Sequence, residues 1–509
     1  MYFEYRQSTE LPRLAWCAHL TKGNEAIVVR HGPWVERRDD CFFEGAWNGA
    51  FEQERFEQAE MLLGTGGKVT ATGVVFAAPS HPVERIYSLR LPDALIVSNS
   101  YVFLLVAAND RPDPIYSDYF FDWWRNLRGA SRKSLILRTY RGSRVYADDG
   151  CNLIVNADLS VRREPKKRSA EPQSYEELIS LLQNTVNAIA DNAADPDRCQ
   201  RFRPVTMIST GYDSPAVSVL AAKAGCTEAV TFAWQDCSGA ETGDDGSSIA
   251  HILGLTTTRY IRLGYTHRTD FPEAEFCTAG PMGWTPLSTM EQQLVGALLF
   301  TGVPGYSWHD QSFRTPPYGE ELLSRSHFPY MSNTEFRLRA GYLMFPTLCI
   351  GTVHDQAIRG ITNSEAMHPW IVPGLARNKP ILRRILEEAG VPRAAFATHK
   401  RANAFANLAN PGHFSAHSQA DYLQYCANSQ FPNHKTFFTD LIARLSRKLT
   451  QVGQNLLRWV PAMWRFPIMP YVWWLYPKTS HPLWRSPALY TFHWGFERTE
   501  QRYQIGSLE

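Results

Sequence analysis

Of 509 residues only nine are cysteine, and none stands in a Cys-x-x-Cys pair. That spacing is what a structural zinc site or a dithiol redox site needs, so neither is expected, and the scatter suits reduced thiols. His309, His354 and His399 each lie near a polar element, but none has a second histidine at ligand spacing, so no transition-metal site is indicated. The chain also lacks any run of about 18–20 apolar residues, the length a membrane-spanning helix requires. Its first residues, MYFEYRQSTELPRLAW, carry two acids and no long apolar core, unlike a signal peptide. There is no excess of one charge sign either: 52 basic and 50 acidic residues leave a net +2, which argues against a nucleic-acid coating protein. These absences lead us to expect a cytoplasmic protein with no transmembrane segment, whose length allows two or three domains.

What is present falls into segments of different texture. Residues 1–160 favour strands, as in KVTATGVVFAA (Lys68–Ala78), DALIVSNSYVFLLVAA (Asp93–Ala108) and KSLILRTYRGSRVYAD (Lys133–Asp148), rich in β-branched and aromatic residues. Residues 161–174 read as a charged linker that includes Arg162, Arg163, Lys166, Lys167 and Arg168. From Tyr175 the spacing of Leu178, Leu181, Leu182, Val186 and Ile189 predicts an amphipathic helix. There follow a strand at Val205–Ile208, a turn at Ser209–Asp213 and a helix through Ala224 that stops at Gly225. Strand-like stretches Glu228–Gln235 and Thr258–Tyr265 flank a helix within Asp244–Leu255, and Gln292–Gly305 supplies another element pair. This alternation predicts a parallel sheet with crossover helices, an α/β fold, and the remainder of residues 175–436 reads as mostly helical.

The turn between that first strand and helix, Ser209-Thr210-Gly211-Tyr212-Asp213-Ser214, holds three aliphatic hydroxyls and a carboxylate around a glycine. In an open α/β sheet ligands bind outside the carboxyl ends of the strands, and the first amides of a helix suit an anion. Gly211 lets the backbone turn closely around it, and Ser209, Thr210 and Ser214 offer hydroxyl donors. Asp213 repels phosphate unless it holds Mg²⁺ between itself and the phosphates. A simpler use of Ser209 or Asp213 is to cap the helix, and the two uses are compatible.

The stretch ISTGYDS resembles the pyrophosphate loop of the N-type ATP pyrophosphatases, usually Ser-Gly-Gly-x-Asp-Ser. The longer pattern resembles the synthetase domain of the asparagine synthetase family, whose relatives include β-lactam synthetases and lasso-peptide cyclases. TFAWQDCSGAETGDDGSSIAHILGL, LLFTGVPGYSWHD and RNKPILRRILEEAGVPRAAFATHKRANAF follow in the family's order. The resemblance implies ATP and Mg²⁺ as cofactors. It implies a pyrophosphate cradle of Ser209, Thr210, Gly211 and Ser214, with Asp213 on Mg²⁺ and Thr301 and Gly302 in the second loop. It also implies a late basic residue, Lys400 or Arg401, near the adenylate, and Glu335 and Tyr342 as candidates for handling the amine's proton. An alternative for Glu335 is an exposed helical acid paired with Arg339 at i,i+4.

The chain departs from the family at informative positions. Thr210 replaces the first glycine of the loop. Where the second loop usually carries Asp and Glu, Tyr306 and Ser307 stand here, with Asp310 a few residues on as the only substitute ligand nearby. The nucleophilic cysteine of glutamine-dependent relatives is replaced by Tyr2, and the nearest cysteine is Cys17. Residues 1–160 are then expected to be a degenerate, β-rich amidotransferase-like domain. The implied function is an ATP-dependent, AMP-forming ligase making an amide or lactam without glutaminase activity. The alternatives are a non-catalytic relative that binds nucleotide or a partner, and an adenylating enzyme of the kind that modifies tRNA, which the charge balance and absent thiol pair disfavour.

Residues 437–509 form a helical, aromatic-rich extension with Trp459, Trp464, Trp473, Trp474, Trp484 and Trp494. Three uses are open for it: packing back on the core, binding a protein or peptide partner, and contacting a membrane surface.

Overall fold

The computed structural model describes residues 1–114, 135–233, 244–278, 282–303, 305–309, 333–375, 378–397, 406–407, 414–429 and 487–504. Its architecture is mixed α/β, with antiparallel sheets in the N-terminal part and a parallel sheet after residue 200.

Seven strands between Tyr2 and Asp148 form one N-terminal sheet, and six between Glu36 and Pro165 form another. The strands alternate core-facing residues, and the two apolar faces meet: Trp16, Ile27 and Val97 of one sheet pack with Phe42, Phe76 and Leu153 of the other. Rings lock the contact, with Trp16 stacked on Phe76 at 6.0 Å and edge-on to Phe42 at 4.9 Å. All pairings are antiparallel except Tyr2–Gln7 with Ala26–His31. Two expectations are corrected here. The stretch after Ser98 turns into a helix, Tyr101–Ala107, because the Ser100 hydroxyl caps it by accepting from the Phe103 amide, and its apolar side chains are buried from Tyr101 to Leu105. The charged segment does not begin as a linker. Val161–Pro165 pairs antiparallel with Cys151–Asn156, and Arg163 holds Asp148 through two hydrogen bonds.

The parallel sheet has five strands: β1 (Arg203–Met207), β2 (Glu228–Ala233), β3 (Thr256–Ile261), β4 (Ala297–Thr301) and β5 (Leu343–Pro346). Their order is β3-β2-β1-β4-β5 and every pairing is parallel, Val205 lying opposite both Glu228 and Leu299. The chain runs outward from β1 through β2 and β3, then returns to the other side for β4 and β5. β1 and β4 therefore flank a topological switch point, where a crevice opens at the strands' carboxyl ends.

Helix α1 (Tyr175–Ala194) is the expected amphipathic helix, capped by Ser174, with Leu178, Leu182, Val186 and Ile189 fully buried. Helix α2 (Asp213–Lys223) follows β1 and ends before Gly225, whose φ of 83° suits the turn. Three further helices matter below: α3 (Thr334–Ala340), α4 (Pro380–Glu388) and α5 (Pro487–Glu500). α5 returns to the core, burying Phe492, Trp494 and Phe496. Trp494 donates to Asp421 and stacks on Phe414, so this piece of the C-terminal extension is self-packed. The other five tryptophans of the extension lie outside the described residues. No described helix is long and apolar enough to cross a membrane.

Candidate functional site

The Ser209–Tyr212 turn leaves β1 at the switch point, and its side chains through Ser214 are all partly exposed while Pro215–Ala221 are buried. Strand and helix are tied beneath the turn by Thr206 and Ser218, whose hydroxyls lie 2.9 Å apart, and Ser218 also donates to the Ser214 carbonyl. No side chain caps α2; Pro215 has no N–H and the Ala216 amide donates to the Tyr212 carbonyl, so the donors that its first turn can offer are the amides of Asp213 and Ser214. The Ser209 and Ser214 hydroxyls are 2.7 Å apart, and Ser209 Oγ accepts from the Gly211 amide. Two hydroxyl protons shared in one mutual bond leave one proton for a ligand.

Thr210 behaves differently. Its amide and its hydroxyl both donate to Asp244, at 3.1 and 2.8 Å, so Thr210 is a positioning residue that fixes the loop against the segment after β2. Asp244 is buried and reaches the loop because Gly246 lets the two backbones touch: a Cβ there would lie 2.7 Å from the Ser209 amide nitrogen. The segment after β4 closes the other side. A Cβ on Gly302 would strike the Ser214 amide, and one on Gly305 would strike the Asp213 carboxylate. Thr301 is buried, its hydroxyl 3.4 Å from the Phe345 carbonyl, so of this pair it is Gly302 that meets the loop. Asp310 lies outside the described residues.

A third wall comes from α4 and the residues after it. Lys379, buried at the α4 N-terminus, forms an ion pair with Asp213, whose side chain is 34% exposed. One turn later Arg383 donates to the Tyr212 hydroxyl and lies 5.2 and 5.4 Å from the rings of Tyr212 and Phe396. Next to Phe396, the Ala397 amide donates to the Thr210 carbonyl at 2.7 Å, with φ at 62°, a left-handed conformation unusual for alanine. The late segment is thus delivered to the loop. Lys400, three residues on, and Arg401 are outside the described residues.

Glu335 and Tyr342 sit elsewhere. Glu335 is 3% exposed and its two oxygens accept from Ser100 and Tyr503. Burial raises its carboxyl above the usual range. It is not paired with Arg339, which instead grips Glu275 and Glu291. Tyr342 is fully buried, its hydroxyl 3.4 Å from Asn333, and burial pushes its pKa upward. Both belong to a seam where α3 meets the N-terminal sheets. At its centre Arg337 makes two hydrogen bonds to Glu44 and an ion pair with Glu84 at 2.6 Å. Thr65 and Asn99 also donate to Glu44. The partners of Glu335 belong to the N-terminal part and the C-terminal segment, so a proton-handling role at the loop is not supported by its contacts.

Lys379, Arg383, Asp244 and Gly305 escaped sequence reasoning. The signal for the first two was present in Lys-Pro-Ile-Leu-Arg: a proline just after a lysine starts a helix there, and the i,i+4 spacing puts lysine and arginine on one face. A polar, half-exposed loop with uncapped helix amides, an available hydroxyl and a buried lysine beside it can hold a polyanion such as a nucleotide's phosphates. No family model matches the chain, and no curated protein is significantly similar to it.

Proposed function

We propose that the chain is an ATP-dependent, AMP-forming ligase of the asparagine synthetase type, acting without glutaminase activity. In this reading the parallel sheet is the ATP pyrophosphatase-like synthetase domain and the N-terminal sandwich a degenerate amidotransferase-like domain. One observation carries the reading: the Ser209–Ser214 stretch leaves the central strand at the switch point, and Gly246, Gly302 and, from one late segment, Lys379 and Ala397 all meet it. Those segments resemble the family's own order of motifs.

The chemistry asks for few parts. A substrate carboxylate attacks the α-phosphorus of ATP, the bond to the β-phosphate oxygen breaks, and pyrophosphate leaves. An amine then attacks the acyl carbon, AMP departs, and the amine's proton passes to solvent or a base. The protein's contribution is to orient the reactants and offset the charge of the departing pyrophosphate. The uncapped amides of α2 and the hydroxyl pair of Ser209 and Ser214 supply donors for it, and Lys379 supplies positive charge. Arg383, Tyr212 and Phe396 form a wall beside the donors, and Lys400, three residues after Ala397 in sequence, is the residue that the resemblance assigns to the adenylate.

Among the described residues the loop offers one carboxylate to a metal, that of Asp213, with one oxygen turned to Lys379. This fits a Mg²⁺ held by Asp213 together with the nucleotide's phosphate oxygens and water. Such an ion would supply charge neutralisation at the pyrophosphate. The residues Tyr306 and Ser307, standing where the family carries acids, favour a second reading, a relative that binds nucleotide or a partner without turnover.

The test is calorimetric binding of a non-hydrolysable ATP analogue, with and without Mg²⁺, to wild type and Asp213→Asn. Magnesium-dependent binding that weakens in the variant supports the nucleotide site, and AMP release with candidate carboxylates and amines then separates the two readings. No binding by well-folded protein overturns both nucleotide readings.

A further inference from the structure

Away from the loop, a cavity of about 60 Å³ lies between the N-terminal sandwich and α1. Asn48, Ser80 and Lys166 line it from the sandwich side, with Thr185 of α1 and Cys349 opposite. The space suffices for a few water molecules or one small oxyanion. Lys166 decides its character. Its stem is partly exposed, but its ammonium nitrogen is buried and makes neither a hydrogen bond nor an ion pair among the described residues. An ammonium buried without a partner is costly, and a site keeps one where something else supplies the partner.

The rest of the lining is built to help. The Lys166 amide is held by the Gly150 carbonyl at 3.2 Å, which anchors the lysine at the cavity wall. Gly150 has a φ of 66° and nothing within 4 Å of where its Cβ would be, so the wall beside it is open. Asn48 spends its Oδ1 on the Met61 amide and has an NH₂ donor left to offer. Lys167 and Arg168 follow on the rim. Two carboxylates lie near. Glu60 is part of the lining and gives one oxygen, Oε1, to the amide and hydroxyl of Ser169, while Glu57 influences the lysine without forming an ion pair with it and keeps a buried Oε2 without a hydrogen bond among the described residues. Burial lowers the Lys166 pKa to about 8, against the pull of Cys151 and Glu57, in keeping with a cation short of a partner.

We propose that this cavity is a second ligand site, taking a small oxyanion of phosphate or carboxylate type with the Lys166 ammonium as its countercharge. The basic run that reads as solvated linker thus contributes one residue turned inward. The site is separate from the Ser209 loop and does not depend on the ligase reading.

The test titrates the full chain with sodium phosphate, and separately with sodium acetate, at constant ionic strength made up with chloride, reading heat and thermal midpoint. Wild type should bind at least one of the two, and which one names the ligand type. Lys166→Met should bind about 10- to 100-fold more weakly while its midpoint without anion stays level or rises. Ser209→Ala reports any anion taken up by the loop, so heat that Lys166→Met loses and Ser209→Ala keeps belongs to the cavity. No response from wild type, or an equal response from Lys166→Met, overturns the proposal, as does a response lost only in Ser209→Ala. Acetic anhydride labelling of the wild type, read by mass spectrometry, needs no variant to fold: the anion should slow modification of Lys166, and an unchanged rate counts against the site.

Discussion

Arg337 and Lys379 are both buried cations facing carboxylates, yet their surroundings differ in kind. Arg337 sits between Glu44 and Glu84, and Glu44 also receives Thr65 and Asn99, so the cluster is closed on every side. Among the described residues Lys379 pairs with the carboxylate of Asp213, which is a third exposed and stands at the mouth of a sheet's switch point. The closed cluster joins α3 to the N-terminal sheets. The open pair leaves charge and donors directed at the crevice. The two cations are buried alike, and the difference lies in the exposure of the carboxylate each one faces.

The largest expected effect breaks the closed cluster. Arg337→Met strands Glu44 and Glu84 without their cation and should cost about 3–5 kcal/mol in urea unfolding. A loss below about 1 kcal/mol would erase the distinction drawn above. The same cluster predicts a pH effect. Burial, with Glu44 beside it, raises the Glu84 carboxyl to about 7 despite Arg337. The folded state therefore holds that proton more tightly than the unfolded chain, and the stability it contributes is fully present below about pH 4.5 and lost as pH rises through about 7. The neighbouring His81 works the other way. Burial and Arg337 hold it down at about 3, so its contribution is present above about 6.5 and lost as pH falls toward 3. The difference between wild type and Glu84→Gln isolates the first contribution. On the order of 2–3 kcal/mol should separate the two proteins' stability changes between pH 4.5 and 8, and parallel profiles would refute the assignment.

At the open pair the expected effects move from stability to binding. Lys379→Met should leave folding largely intact and weaken the ATP analogue about 10- to 100-fold, measured by the same calorimetry. Equal affinity would remove Lys379 from the site. The smallest effect is expected at Thr210→Val, which deletes one of two hydrogen bonds to Asp244 and should cost about 1 kcal/mol of stability with only a modest loss of nucleotide affinity. A large affinity loss would mean that the hydroxyl serves the ligand rather than the loop.

Much of the parallel half was legible beforehand. The strand before Ser209, the helix after it and the stop at Gly225 follow from local signals: an apolar run, a polar turn and a glycine suited to positive φ. The periodicity that marked α1 is likewise a property of twenty consecutive residues. The N-terminal half was less legible. Tyr101–Ala107 has the composition of a strand, and only the Ser100 cap together with burial of Tyr101–Leu105 turns it into a helix. Val161–Pro165 has the composition of a linker and is a strand because Cys151–Asn156 offers it an edge. Glu335 looked like a surface acid because i,i+4 spacing to Arg339 is visible in sequence, whereas Ser100 and Tyr503 are not.

By itself, then, the sequence determined the succession of strands and helices from Tyr175 to Thr301 and the polar loop after the first strand, since periodicity, capping and glycine turns act over a few residues, whereas the strand at Leu343–Pro346 lies in a stretch that reads as helical. Only the tertiary structure decided which charges meet. Lys379 reaches Asp213 across 166 positions and Arg337 reaches Glu44 across 293. Such pairs depend on strand order and on which faces are buried together, and a buried charge takes the partner that the packed chain brings to it.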